Sequence, residues 1–274
     1  MSMNLDLPTI PLGRTGLTVT RFGIGGAYNP TVEARRAALD CGVTYVDTAR
    51  SYQRGEDERL VGQAIAGRRD GLVLATKSGK RDAAGARADL EASLRALDVD
   101  HIDIWQLHHL NTAPEREQAL GPGGAYEAAL RARDQGLIRF IGVTGHDWTE
   151  VGAAVETGLF DTVLCWYNCA MRDPEEQVFP HARAHDVGVV IMSSARNDNF
   201  FSATGDPPDD AFYRYVLSQP GVHVAIMGLR NVERFRRIAR ALAEGGVAMP
   251  EAERRALEAY GAKMREEGKL ELHF

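Results

Sequence analysis

Apolar residues in this chain gather into short runs, and each run is followed by a stretch whose apolar positions recur every three or four residues. The runs lie near 22–25, 44–46, 72–76, 102–107, 138–143, 162–166, 188–192 and 222–226. The periodic stretches lie near 31–41, 56–66, 87–97, 123–135, 148–157, 175–186, 209–217 and 231–243. Short apolar runs read as strands, and the 3.6-residue period reads as amphipathic helix. Such alternation predicts parallel strands joined by right-handed helical crossovers. Eight units in 274 residues predict a closed (β/α)8 barrel rather than an open doubly wound sheet. The stretch 197–210, with two prolines, one glycine and four aspartates, predicts a long loop.

Two pieces fall outside the eight units. Residues 9–20 carry a Gly-rich turn between short apolar stretches and predict a hairpin closing the N-terminal end of the barrel. Residues 250–268 begin at Pro250 and predict a final helix. Thr31 and Asp147 each precede a helical stretch with Glu in its first turn, as N-caps do. No Pro-, Gly- and Ser-rich linker interrupts the pattern, so residues 1–274 are expected to form one domain.

Composition narrows the function classes. The chain is 44% hydrophobic, enough for a sizeable core, and carries a net charge of −6. That negative charge argues against a nucleic-acid partner, since phosphate binding needs a basic face, and the charges are interspersed rather than blocked, as on a solvated globular surface. Cys41, Cys165 and Cys169 make no disulfide or CxxC framework. The N-terminus does not read as a secretory signal, and no apolar run approaches the ~18 residues of a membrane span. These features predict a cytoplasmic protein without membrane contact. Oligomeric state leaves no trace in the pattern.

Three successive strands end in polar residues: Asp47, Lys77 and His108. Tyr52 follows Asp47 by one short loop. Enzymes on α/β scaffolds carry their chemistry at the C-terminal ends of strands. A phenol with pKa ~10 is a poor acid or base at neutral pH. A nearby ammonium lowers that value, and Lys77 is placed to supply it, with Asp47 as its counter-ion. His108 can donate a hydrogen bond to a substrate oxygen. Such a set moves a proton at a carbonyl or alcohol oxygen. It contains no strong nucleophile and therefore points to a redox partner, a nicotinamide dinucleotide.

Asp47-Thr-Ala-Arg-Ser-Tyr52, then Gly55-Glu56 and Leu60-Val-Gly62, resembles the signature of the aldo-keto reductase superfamily. The resemblance extends from the Leu12-Gly-Arg-Thr-Gly16 hairpin through Lys77, Asp103 to His108, Arg139 to Val143 and Tyr167-Asn168 as far as Gly228. It implies a (β/α)8 barrel with NADP(H) extended across the C-terminal face, acting on a small-molecule carbonyl substrate. It implies that Asp47, Tyr52, Lys77 and His108 form the catalytic set, with Tyr52 as general acid. Departures accompany it. Thr144 and Gly145 stand where the family commonly has Ser and Asn, and Leu164 where it often has Gln. Met192 and Ser193 replace a late Lys or aromatic. Arg237 and Ile238 replace a Glu-Asn pair. The candidate cofactor residues are Gly25, Gly26, Asp47, Thr144, Ser193, Arg196, Gly228 and Arg230. The cations of Arg196 and Arg230 favour NADP over NAD.

Further residues read towards the mouth. Gly23-Ile-Gly25-Gly26 does not spell GxGxxG; it suits either close approach of a nicotinamide or a tight turn. Only one of His108 and His109 can point inward on an extended segment, and His108 is the better placed. His109, His146, Tyr28 and Trp148 are candidates for the substrate pocket, with loops 110–122 and 197–210 and the tail 270–274 beside them. Trp105, Trp166 and Tyr167 read as core or barrel wall. Asp103 reads as a buried polar contact. His181 and His185 have metal-ligand spacing but no HExxH glutamate and read as a solvated helix face; no metal is expected. The expected activity is NADPH-dependent reduction of an aldehyde or ketone to an alcohol. A non-redox elimination or epimerisation, and a dinucleotide-sensing regulatory subunit, remain open alternatives at this point.

Overall fold

The computed structural model of the chain describes residues 4–26, 28, 30–196, 198–202 and 206–270. Two short strands, β1 (Thr9–Pro11) and β2 (Thr18–Thr20), pair antiparallel around a tight turn. Eight strands follow: β3 (Phe22–Gly25), β4 (Tyr45–Asp47), β5 (Val73–Ser78), β6 (Ile102–Leu107), β7 (Ile138–Thr144), β8 (Thr162–Trp166), β9 (Gly188–Met192) and β10 (Val224–Gly228). Each pairs in parallel with the next, and β10 returns to β3, which closes the barrel. The fold is a (β/α)8 barrel with an N-terminal hairpin and an extra C-terminal helix, Glu251–Glu266.

Strand parity sorts the side chains into two cores. On β4 and β5 the odd positions Tyr45, Val73 and Ala75 turn into the barrel, where Ile104, Leu164, Val190 and Val224 meet them. The alternate residues Val46, Leu74, Trp105 and Val163 face the helices. The hairpin closes the N-terminal end: Leu12, Leu17 and Val19 join the inner cluster. Because side chains alternate with period two, the next odd residues, Asp47 and Lys77, continue the inward column at the opposite end. Hydrophobic residues therefore fill the bottom and middle of the barrel, and the chemistry emerges on top.

Most predicted helices are present. Thr31 and Asp147 cap theirs, accepting from Ala34 N at 3.2 Å and Glu150 N at 3.0 Å. Two segments differ. The predicted helix at 175–186 is two short ones, Pro174–Gln177 and Phe179–Ala184, consistent with Pro180 lacking the donor a continuous helix needs. Residues 110–122, expected as a pocket-lining loop, contain the helix Ala113–Leu120, started by Thr112 as N-cap. None of 110–122 lines the cavity at the strand ends. Within 197–210, residues 197 and 203–205 lie outside the described residues, as does the tail beyond Leu270. No helix among the described residues is long and apolar enough to cross a membrane.

Candidate active site

A cavity of about 170 Å³ opens where the barrel strands end, bordered by Asp47, Tyr52, Lys77 and His108 among others. Lys77 Nζ donates to Asp47 Oδ1 and, at 2.7 Å, to the carbonyl oxygen of Thr48. Gln106 Nε2 donates to the other Asp47 oxygen at 3.0 Å. Gln106 was missed by sequence reading, although it lies two residues before His108 on the same strand face. It has room because β7 carries Gly142 opposite; a Cβ there would approach Gln106 Cγ at 2.8 Å.

Thr48 is itself held. Its hydroxyl donates to Asp57 Oδ2 at 2.6 Å, and Arg35 Nη2 donates to Asp57 Oδ1 at 2.5 Å. All three side chains are buried. The helix Glu56–Ile65 thus anchors the backbone that grips Lys77. Tyr52 reaches the cavity from a tight turn in which Gln53, Arg54 and Gly55 all have positive φ. Its ring lies 5.1 Å from Lys77 Nζ and meets the His108 ring edge-on at 5.9 Å.

Gly26 packs flat against Tyr52: a Cβ would stand 2.7 Å from the ring. Replacing Gly26 by Ala is expected to displace the phenol and lower kcat about tenfold or more, since misplacement by an ångström costs up to ~10². Steady-state kinetics at saturating substrate checks this; an unchanged kcat would remove Gly26 from the positioning of Tyr52.

The electrostatics differ from expectation at one group. Burial pushes the Tyr52 phenol above its ordinary value, and the Lys77 ammonium opposes this without reversing it. Tyr52 therefore keeps its proton across the neutral range. For Lys77, burial pulls downward, but Asp47 and Tyr52 together hold it above the usual lysine value, so it stays an ammonium. His108 is pushed far down by burial and by Lys77, and is neutral. Its Nδ1 lies 3.4 Å from Ser51 Oγ.

Both His108 and His109 line the cavity, contrary to the parity argument. Their ring centroids are 3.8 Å apart. The reason is local: His109 has φ +56°, which breaks strand alternation immediately beyond β6. His146, Tyr28, Thr144, Ser193, Gly25, Gly26 and Gly228 also border the cavity. Trp148 does not. It opens the helix Trp148–Glu156, packs into the helix layer, and donates its indole N–H to Trp166 O at 2.9 Å. Trp166 takes the expected place of Trp148, because it shares the inward parity of Leu164 on β8. Trp105 and Tyr167 are buried as read. So is Asp103, which accepts from Leu74 N and from Arg69 and Arg139. Burial raises the thiols of Cys165 and Cys169 to about 12, so neither is a thiolate. No group of metal-binding side chains forms among the described residues.

Beside the main cavity lies a smaller chamber that shares Tyr28, Ser193, Ile226 and Gly228 with it and adds Ser194. The turn after β9 leaves two buried donors without partners among the described residues: Ser194 Oγ, at this chamber, and Arg196 Nη1. Arg196 is not the open phosphate ligand expected. Its Nε and Nη2 donate to Leu270 O, and its guanidinium lies 4.6 Å over the Trp166 ring. Only Nη1 is left. Arg230, on the rim, stacks at 3.9 Å on Tyr28. Ser194 Oγ, the Gly228 backbone and the nearby cations Arg196 and Arg230 offer donors to a phosphate-bearing ligand, against which the Asp198 carboxyl in the same chamber counts.

Comparison with known proteins agrees with this architecture. The family model "Aldo/keto reductase family" matches residues 21–202. Aldo-keto reductase YhdN of Bacillus subtilis is 32% identical over 202 residues, which cover 69% of this chain and 59% of that protein's length. An aldo/keto reductase from Klebsiella pneumoniae, solved in complex with NADP and acetate, superposes with a TM-score of 0.76 at 26% identity, covering 93% of this chain and 96% of the other. The holo form of aldo-keto reductase AKR11C1 from Bacillus halodurans gives 0.79 at 23% identity, covering 93% and 96%, a likeness of fold. With the family model spanning most of the barrel, the chain belongs to the aldo/keto reductase family.

Proposed function

We propose that this protein is an NADPH-dependent oxidoreductase that reduces an aldehyde or ketone to an alcohol, with Tyr52 as general acid. The observation that carries the proposal is the meeting of Tyr52, Lys77, Asp47 and His108 on one cavity at the strand ends. The Klebsiella relative with bound NADP supports the cofactor. So do the orphaned donors of Ser194 and Arg196, which with Arg230 and the Gly228 backbone would hold the phosphates. The dinucleotide, when bound, supplies a hydride to the carbonyl carbon.

The protein's own part is proton transfer and orientation. The protonated Tyr52 phenol donates to the carbonyl oxygen as negative charge develops there. Lys77, fixed by Asp47 and Thr48 O, stabilises the phenolate left behind. Gln106 prevents Asp47 from rotating away. In the tautomer whose Nδ1 accepts from Ser51 Oγ, the His108 ring proton lies on Nε2, and the neutral ring offers it to the same oxygen. The departures at Thr144, Leu164 and Met192 change how a nicotinamide is gripped but leave the proton-transfer groups in place.

The test has two stages. Protein-fluorescence titration is expected to give saturable NADPH binding, tighter than NADH. NADPH oxidation is then measured against a panel of aldehydes and ketones. Product formed without added or co-purified dinucleotide would favour elimination or epimerisation instead. Binding with turnover no higher than that of Tyr52→Phe would favour a sensing role.

A further inference from the structure

One wall of the cavity is a row of rings. His108 lies against His109, and the His109 and His146 rings meet edge to face at 4.4 Å. His146 stacks on Trp166 at 3.9 Å with 15° between planes. Arg196 lies over the Trp166 ring. One face of His146 is therefore already covered by Trp166, and Trp166 is covered in turn by His146 and by the Arg196 guanidinium. Both His109 and His146 border the cavity. Each ring carries two nitrogen atoms, and none of them hydrogen-bonds to a described residue.

Burial holds both imidazoles below their ordinary values, His146 at about 4, so both are neutral at pH 7. A neutral imidazole has one N–H donor and one bare acceptor nitrogen. The two rings thus offer two donors and two acceptors, without net charge. The hydroxyls of Thr144, Ser193 and Tyr28 border the same cavity. A hydroxyl group on the ligand, itself donor and acceptor, complements either kind of site. A hydrocarbon or aryl group does not: it would strip water from these nitrogens and return nothing.

We propose that His109 and His146 are specificity-determining residues, and that they select small uncharged carbonyl compounds bearing hydroxyls on the first and second carbons beyond the carbonyl. The proposal rests on the reductase reading for its reaction, but the selectivity is a property of the wall itself. The carbonyl oxygen lies between Tyr52 and His108, and the neighbouring His109 and His146 receive the adjacent hydroxyls.

A matched pair tests it: glyceraldehyde and propanal share a three-carbon skeleton and differ in two hydroxyls. The wild-type kcat/KM is expected to favour glyceraldehyde by about tenfold or more, the worth of one to two net hydrogen bonds. His146→Phe keeps a flat ring on Trp166 and removes both nitrogens; the preference is expected to fall about tenfold. His146→Gln restores a donor and an acceptor and is expected to recover part of it. An unchanged ratio in His146→Phe overturns the proposal. So does an equal loss on both aldehydes with weakened NADPH binding, which would assign the wall to the dinucleotide. If neither aldehyde is turned over, the reductase reading is decided by the wider panel of aldehydes and ketones. Selectivity is then decided by saturation-transfer NMR: signal to glyceraldehyde over propanal, lost in His146→Phe, upholds the wall, and equal or absent transfer overturns it.

Discussion

Replacing Tyr52 by Phe is expected to lower kcat for carbonyl reduction by about 10²- to 10⁴-fold, the usual worth of a positioned proton donor. The substitution removes one oxygen and little else. The ring continues to pack on Gly26 and beside Lys77, so no cavity opens and no buried partner of the backbone is lost. NADPH titration of the variant then serves as the control for folding. The pH profile adds a second readout. Burial raises the phenol's pKa above its ordinary value, so the acid form persists through the neutral range. Wild-type kcat is therefore expected to hold steady there and to fall only on the alkaline side. A variant with wild-type kcat, or a wild-type rate lost between pH 6 and 8, would remove Tyr52 from the role of acid.

Lys77→Met is expected to cost about 3–5 kcal/mol of stability as well as activity. Both members of the ion pair are buried, and removing the ammonium leaves the Asp47 carboxylate uncompensated in a low-dielectric interior. Thr48 O loses a donor at the same time. The double variant Asp47→Asn, Lys77→Met is expected to regain much of the loss, because it leaves no unpaired charge. Urea unfolding of the three proteins measures this; a single variant within about 1 kcal/mol of wild type would show that the pair is not the closed ion pair described. The pH dependence has a defined sign. The folded lysine's pKa is raised above its unfolded value, so the lysine's share is complete below ~10.4 and fades as pH rises through the folded value, while burial raises the Asp47 carboxyl and so works against the pair as that group ionises.

Much of the arrangement is legible in the amino-acid sequence. Period-two runs and 3.6-residue stretches determine where strands and helices form, because burial of one face depends only on local spacing. Eight repeats then leave few ways to cover parallel strands. The same spacing put Asp47, Lys77 and His108 at strand ends, and parallel pairing necessarily carried those ends to one mouth. What failed were statements needing the third dimension. Gln106 was read as one letter of an apolar run, although its amide holds Asp47. Trp148 and Trp166 exchanged roles because facing the mouth depends on strand parity as well as on position in the chain. Arg196 was read as free, but its guanidinium grips a carbonyl 74 residues away.

The sequence alone thus determined the element order, the barrel and the four groups at its mouth, since each follows from short-range periodicity and chain direction. Only the tertiary structure decided the state of those groups and the shape of the wall facing them. Whether Tyr52 gains or loses acidity is a contest between burial and the Lys77 charge, and burial exists only once the barrel has closed. That His109 joins His108 at the cavity depends on one residue's positive φ, and its meeting with His146 on the packing of two strand ends, which no spacing rule encodes.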